Sequence, residues 1–108
     1  GKLHVVFQPH RFSRTRDCFP QFIESFKDCD SLAITPIYAS SEEPIEGVSS
    51  ELLLSAIVHA KKCYQPGMQE VFNYLTSIAQ PNDKIVFLGA GSVGSWAEKY
   101  KEFSLSVI

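Results

Sequence analysis

The 108 residues predict an α/β domain of three-layer, Rossmann-like type, a mostly parallel sheet with helices on both faces. Short β-branched apolar runs alternate with longer segments whose apolar residues recur at helical spacing, the signature of βαβ crossovers. The runs are apolar almost throughout, as strands buried on both faces are. Neither repeats nor a linker-like stretch interrupts the order, so one domain accounts for the length.

Leu3-His4-Val5-Val6-Phe7 is the first strand, stopped by Pro9. A helix is predicted from Thr15 to about Asp28, because Phe19, Phe22, Ile23 and Phe26 form one stripe. Ser13 or Thr15 would cap it, Asp17 suits its dipole, and Pro20 must lie within its first turn. Ser31–Thr35 is the second strand, closed by Pro36, and the polar stretch from Tyr38 to Val48 is a long loop. Ser49 or Ser50 caps a second helix, with Leu52, Leu53, Ala56, Ile57 and Ala60 on its buried face. Cys63-Tyr64 reads as a short strand. A third helix runs from about Met68 to Ala79 on Val71, Phe72, Leu75 and Ile78. Lys84–Leu88 is the strongest strand, and a last helix runs through Trp96 towards Phe103.

The net charge of −2 hides an uneven distribution: residues 1–16 carry +4 and no acid, and the remainder carries −6. With 44% apolar and 20% charged residues the chain is not disordered. No apolar run approaches the roughly 18–20 residues of a membrane helix, and the N-terminus lacks the shape of a signal peptide. One basic cluster on an acidic chain argues against nucleic-acid binding, which spreads positive charge over a face. Cys18, Cys29 and Cys63 are odd in number and widely spaced, which reads as free thiols in a reducing cytoplasm.

Ligands of such sheets sit beyond the carboxyl ends of the strands, so the strand-to-helix loops 8–16, 36–48 and 89–94 matter most. The first holds His10, Arg11, Arg14 and Arg16 at the start of a helix. Guanidinium groups are bidentate donors for carboxylate or phosphate, and a helix N-terminus adds free N–H groups. Arginine in a first helical turn also opposes the dipole, so stability alone would not put it there. An anionic ligand is one reading; solvation, or pairing with Asp17 or Glu24, is the other. The third loop, Gly89-Ala90-Gly91-Ser92-Val93-Gly94, matches the dinucleotide pattern G-x-G-x-x-G. It follows the last strand, however, and the chain ends before the ribose-binding acid expected about 20 residues on. A tight turn, or a turn bordering a ligand cleft, explains the glycines equally well. In the middle loop, Tyr38 and the pair Glu42-Glu43 face either a ligand or solvent. His4 and His59 read as structural. No metal-ligand spacing, Ser-His-Asp pattern or P-loop is present in the sequence.

Phe7-Gln8-Pro9-His10-Arg11-Phe12-Ser13-Arg14-Thr15-Arg16-Asp17 resembles the signature of the C-terminal domain of the Mur ligases, in the branch that joins L-alanine to UDP-N-acetylmuramate. Thr35-Pro36-Ile37-Tyr38-Ala39, continuing through Glu42, Pro44, Ile45 and Gly47, is similar to the family's second loop. Leu88-Gly89-Ala90-Gly91-Ser92-Val93 is similar to its last strand and turn. The likeness covers nearly the whole chain.

The resemblance implies a cytoplasmic, three-domain, ATP-dependent ligase of peptidoglycan biosynthesis, and so of cell shape and division. In it L-alanine attacks an acyl-phosphate of UDP-N-acetylmuramate, with Mg²⁺ on the phosphates. His10, Arg11 and Arg14 would bind substrate at the interdomain cleft, and Tyr38, Glu42, Gly89 and Gly91 would line it. ATP and Mg²⁺ belong to the full-length enzyme; none is expected on this domain alone, nor is ligase activity. A D-alanine–D-alanine ligase, fused to this enzyme in some bacteria, is a partner the resemblance leaves open.

Two departures stand out. Ser40-Ser41-Glu42 replaces the family's Ala-Gly-Glu, so a glycine-permitted turn is in doubt. The family's Tyr-Gly-His-His-Pro segment and the helix after it do not precede Gly1, so residues 1–108 read as the domain without its first segment. That omission would expose an apolar sheet face and favour dimerisation. A free-standing, non-catalytic module binding a small anion or nucleotide is the alternative.

Overall fold

The computed structural model describes residues 1–59 and 61–106. Strands β1 (Leu3–Phe7), β2 (Ser31–Ile34), β3 (Lys62–Tyr64) and β4 (Lys84–Leu88) form one sheet in the order β3-β2-β1-β4. Every pairing is parallel, with Val5 opposite both Leu32 and Val86. The order reverses at β1, whose neighbours are the next strand in sequence, β2, and the last, β4. The crevice of an open parallel sheet lies at such a point, beyond the carboxyl ends of β1 and β4.

Helices α1 (Phe12–Asp17), α2 (Phe19–Ser25), α3 (Ser50–Ala56), α4 (Met68–Ile78) and α5 (Trp96–Ser106) complete the chain, α5 following a 3₁₀ turn at Ser92–Ser95. Two buried clusters line the two sheet faces. Val5, Leu32 and Ile34 pack with Phe26 beyond α2 and with Leu53 and Ile57 of the α3 segment. Val6 and Ala33 pack with Val71, Phe72 and Leu75 of α4, and with Val93 and Trp96. The three-layer architecture read from the sequence is the one the chain adopts.

The expected helix from Thr15 to Asp28 is two helices, hinged at Cys18 (φ −100°, ψ 10°). Pro20 is the cause: it has no N–H for the carbonyl four residues back, so it is accommodated only by restarting the helix, and it falls in the first turn of α2. Ser49 caps α3 by accepting the Leu52 N–H at 3.1 Å. Leu52 itself, expected on the buried face, is exposed, because α3 is short and buries only Ser50 and Leu53. Ala60, expected on the same face, lies outside the described residues.

At the amino end of the sheet Asp83 ties the turn before β4 to the start of β1. It accepts from the Lys2 amide at 2.8 Å, the Gln80 amide at 3.0 Å and His4 Nε2 at 2.8 Å. His4 Nδ1 meets the Ser31 hydroxyl at 2.7 Å. At the β4 edge, Val86 and Leu88 are exposed beside a groove lined by Leu3, Phe7, Phe22 and Phe26. Among the described residues no helix is long and apolar enough to cross a membrane.

Two outcomes follow. Leu75 is fully buried beneath α4, and Leu75→Ala is expected to destabilise the chain by about 2–5 kcal/mol in urea denaturation. The Gln80 amide, the His4 ring and the Lys2 amide hold the Asp83 carboxyl far below the ordinary carboxylate range. Its stabilisation is therefore complete above about pH 5 and is lost as pH falls further. Asp83→Asn should lower the urea midpoint at pH 7 and flatten its decline between pH 5 and pH 2.

Candidate functional site

The first and second loops extend the β1·β2 pairing past the strand ends. Tyr38 N–H donates to Pro9 C=O at 2.9 Å, and Arg11 N–H donates to Tyr38 C=O at 2.7 Å. The His10 and Tyr38 rings stack with centroids 5.7 Å apart and planes 11° from parallel. The third loop joins them through Gln8, which is buried at the end of β1. Its side-chain amide donates to Ser92 Oγ at 3.0 Å and accepts from Val93 N–H at 3.3 Å. Nothing in the sequence singled out Gln8 for that role.

Two open clefts flank this junction and share His10 and Arg14. One, of about 400 Å³, is lined by His10, Arg11, Ser13, Arg14, Asp17 and Cys18. The other, of about 340 Å³, lies between the ends of β1 and β4, with Gln8, Gly89 and Ala90 on its far wall. Arg11 and Arg14 are exposed and make no ion pair among the described residues, whereas Arg16 pairs with Asp17 at 3.0 Å. Glu24, the other carboxylate considered for the arginines, pairs with Lys27. The structure thus brings together His10, Arg11 and Arg14, and sets Arg16 apart.

The start of α1 is not open to a ligand. Glu42 occupies it: one carboxylate oxygen accepts the Phe12 and Ser13 amides at 2.6 and 3.1 Å, and the other accepts the Ser13 hydroxyl. The Ser13 hydroxyl and amide, the Phe12 amide and the nearby Arg11 charge hold the Glu42 carboxyl below its ordinary range. The expectation of free N–H groups there is corrected, and so is the dipole argument. Because α1 is one short helix, Arg14 and Arg16 lie in its last turn, where positive charge is favoured. Glu43 is exposed.

The glycines of the third loop have packing roles. A side chain on Gly91 would enter the Tyr38 ring, and one on Gly89 (φ 152°) would meet Val93 and the Gln8 carbonyl. At Gly94 a Cβ would meet nothing within 4 Å. The third glycine of a dinucleotide fingerprint serves close helix–strand packing, and here it has no such contact. Gly89-to-Gly94 is a turn fitted against Gln8 and Tyr38 at the cleft edge.

Ser31, His4 and Asp83 form a serine–histidine–aspartate line that sequence spacing concealed, since its members come from three separate segments. It lies at the amino end of the sheet, away from the basic loop. Ser31 is 2% exposed, and although it and His4 border a cavity of about 280 Å³, the line joins β1, β2 and the turn before β4 as a structural tie. His59 is structural as well: Nε2 donates to Cys29 C=O at 2.6 Å and Nδ1 accepts from Lys61 N–H at 3.0 Å. The three cysteines are free, and burial pushes the Cys29 thiol up.

No family model matches the chain. It is similar to curated proteins named UDP-N-acetylmuramate–L-alanine ligase: 42% identical over 100 residues to that of Allorhizobium ampelinum, 43% over 100 to that of Rhizobium meliloti, and 40% over 98 to that of Syntrophus aciditrophicus. These alignments cover 88–90% of this chain and 20–21% of the relatives. The chain therefore spans about a fifth of the length of the curated relatives it matches.

The glycine assignments predict opposite outcomes at two positions. Gly91→Ala should destabilise the chain by about 1–3 kcal/mol, because Tyr38 must move. Gly94→Ala should change stability by less than about 0.5 kcal/mol. Thermal denaturation of both variants checks the pair.

Proposed function

We propose that this chain, a relative of the UDP-N-acetylmuramate–L-alanine ligases over nine-tenths of its length, is the C-terminal domain of such a ligase. The longer enzyme would join L-alanine to UDP-N-acetylmuramate with ATP in cytoplasmic peptidoglycan synthesis. The observation that carries the reading is the pair of clefts sharing His10 and Arg14 at the order reversal of the sheet.

The chemistry of this chain's own residues is the recognition of negative charge. Arg14 and His10 form a wall common to both clefts, so an anionic group seated there is oriented from two directions. Arg11 brings a second guanidinium to the first cleft. Two cations near a carboxylate or phosphoryl group orient it and stabilise charge that builds up in the reaction. Exposed guanidinium groups bind weakly in water, so the site gains strength only when another domain closes over it and excludes solvent. Tyr38, Gly89 and Gly91 shape the wall, and Glu42 acts from behind it.

In this reading Mg²⁺ and the phosphates of ATP are held by other parts of the longer enzyme. Among the described residues no group of three or more His, Cys, Asp or Glu side chains is arranged for a metal. The carboxylates beside the clefts are engaged, Asp17 with Arg16 and Glu42 with α1. These functions would fall to the remainder of the longer protein, as would the contacts to UDP-N-acetylmuramate, L-alanine and any fused D-alanine–D-alanine ligase.

In the longer enzyme Arg14→Ala is expected to lower kcat/KM about 10- to 100-fold, the loss of one charge-assisted contact, with the domain still folded by circular dichroism. Unchanged kinetics would remove Arg14 from the site. Reading the gene upstream of Gly1 tests the assignment as a whole: a P-loop and a Tyr-Gly-His-His-Pro segment are expected. Their absence, together with tight Arg11-dependent nucleotide binding by the isolated chain, would point instead to a free-standing binding module.

A further inference from the structure

Arg11 has φ 68° and ψ 145°, a backbone region that residues with a side chain rarely enter and glycine enters freely. Its neighbours fix it there. Its N–H donates to Tyr38 C=O, and its own carbonyl accepts the Thr15 amide at 3.1 Å and the Thr15 hydroxyl at 2.8 Å. Thr15 is fully buried. The next two amides, of Phe12 and Ser13, end on Glu42. Glu42 is itself delivered by Ser40 (φ 50°) and Ser41 (φ 72°), two more left-handed residues at the point where a glycine-permitted turn was in doubt. The turn persists without its glycine. Two loops thus bear unfavourable backbone to bring one carboxylate onto one arginine's flank.

We propose that Glu42 is a positioning residue: by clamping the second loop onto the start of α1 it holds Arg11 in this conformation, and so sets the Arg11 guanidinium at the cleft. The inference rests on the anion-binding reading of the cleft for its purpose, though not for its mechanics. A glycine at position 11 would relieve the strain, so an arginine there serves something other than stability. Glu42 as a plain helix cap predicts something different. A cap would stabilise α1 independently of the residue at position 11, whereas a clamp is energetically coupled to it.

A double-mutant cycle on the whole chain separates the two. In urea denaturation Arg11→Gly is expected to raise the folded-to-unfolded ratio about fivefold when Glu42 is present, strain relief outweighing the entropy of glycine. In the Glu42→Ala background the gain should shrink below about twofold, because Arg11 has already relaxed. Equal gains in both backgrounds, or none with Glu42 present, would overturn the proposal. If Glu42→Ala does not fold, Glu42→Gln replaces it; it keeps one acceptor oxygen, and its gain must fall between the two values.

A second readout uses sulfate, which stays dianionic near neutral pH. Removing a negative charge beside arginines tightens anion binding by Coulomb's law alone. Loss of the clamp weakens it. Glu42→Gln is expected to weaken sulfate binding about threefold or more in an NMR titration, and tightening would contradict the clamp. Absence of sulfate binding by the unmodified chain would count against the anion reading of the cleft, while the denaturation cycle would still decide the role of Glu42.

Discussion

One carboxylate governs how the carboxyl edge of this sheet presents its charge. Glu42 reaches from the second loop to the first amides of α1, and it takes the place that a helix N-terminus would otherwise offer a ligand. The positive charge left for a partner is then carried by side chains, Arg11 and Arg14 with His10 between two clefts. Such charge is easily screened by salt while exposed. It becomes effective when solvent is excluded. The arrangement suits a half-site completed by another domain, in keeping with a chain that matches about a fifth of its relatives' length.

The sheet decides where the proposed half-site lies. Because β1 sits between β2 and β4, the loop after β1 emerges where the strand order reverses. Gln8 and Tyr38 join the three carboxyl-end loops there, and Gly91 is small because the Tyr38 ring lies against it. The opposite end of the sheet shows contrasting chemistry. His4, Ser31 and Asp83 form a chain of hydrogen bonds with little exposure and every member partnered, as expected of groups that hold a fold together. At the basic end Arg11 and Arg14 are exposed and make no ion pair among the described residues, and Arg11 is attached to strained backbone.

Much of this was legible in the sequence. Unbroken apolar runs such as Lys84–Leu88 revealed the strands, and helical stripes such as Val71, Phe72 and Leu75 revealed the crossovers, because periodicity is a local property. The basic loop was legible too, since its residues are contiguous. What escaped was non-local. The break at Cys18 followed from Pro20, but where the helix would restart depended on packing. Glu42 stands about thirty residues from the amides it caps, so its carboxylate read as either ligand-facing or solvated. The left-handed backbone of Arg11 had no signal, and that of Ser40 and Ser41 only the resemblance hinted at, because glycine, its usual marker, is absent from all three positions. Ser31, His4 and Asp83 lie on three segments that only the folded sheet unites.

The central claim, that Arg11 and Arg14 with His10 form an anion half-site distinct from the rest of the basic loop, is tested most directly by following the arginine Nε–H resonances of the chain during a sulfate titration. Arg11 and Arg14 should shift together and saturably, while Arg16, paired with Asp17, stays near its starting position. Equal, unsaturable shifts of all three arginines would show only screening of surface charge and would contradict the account.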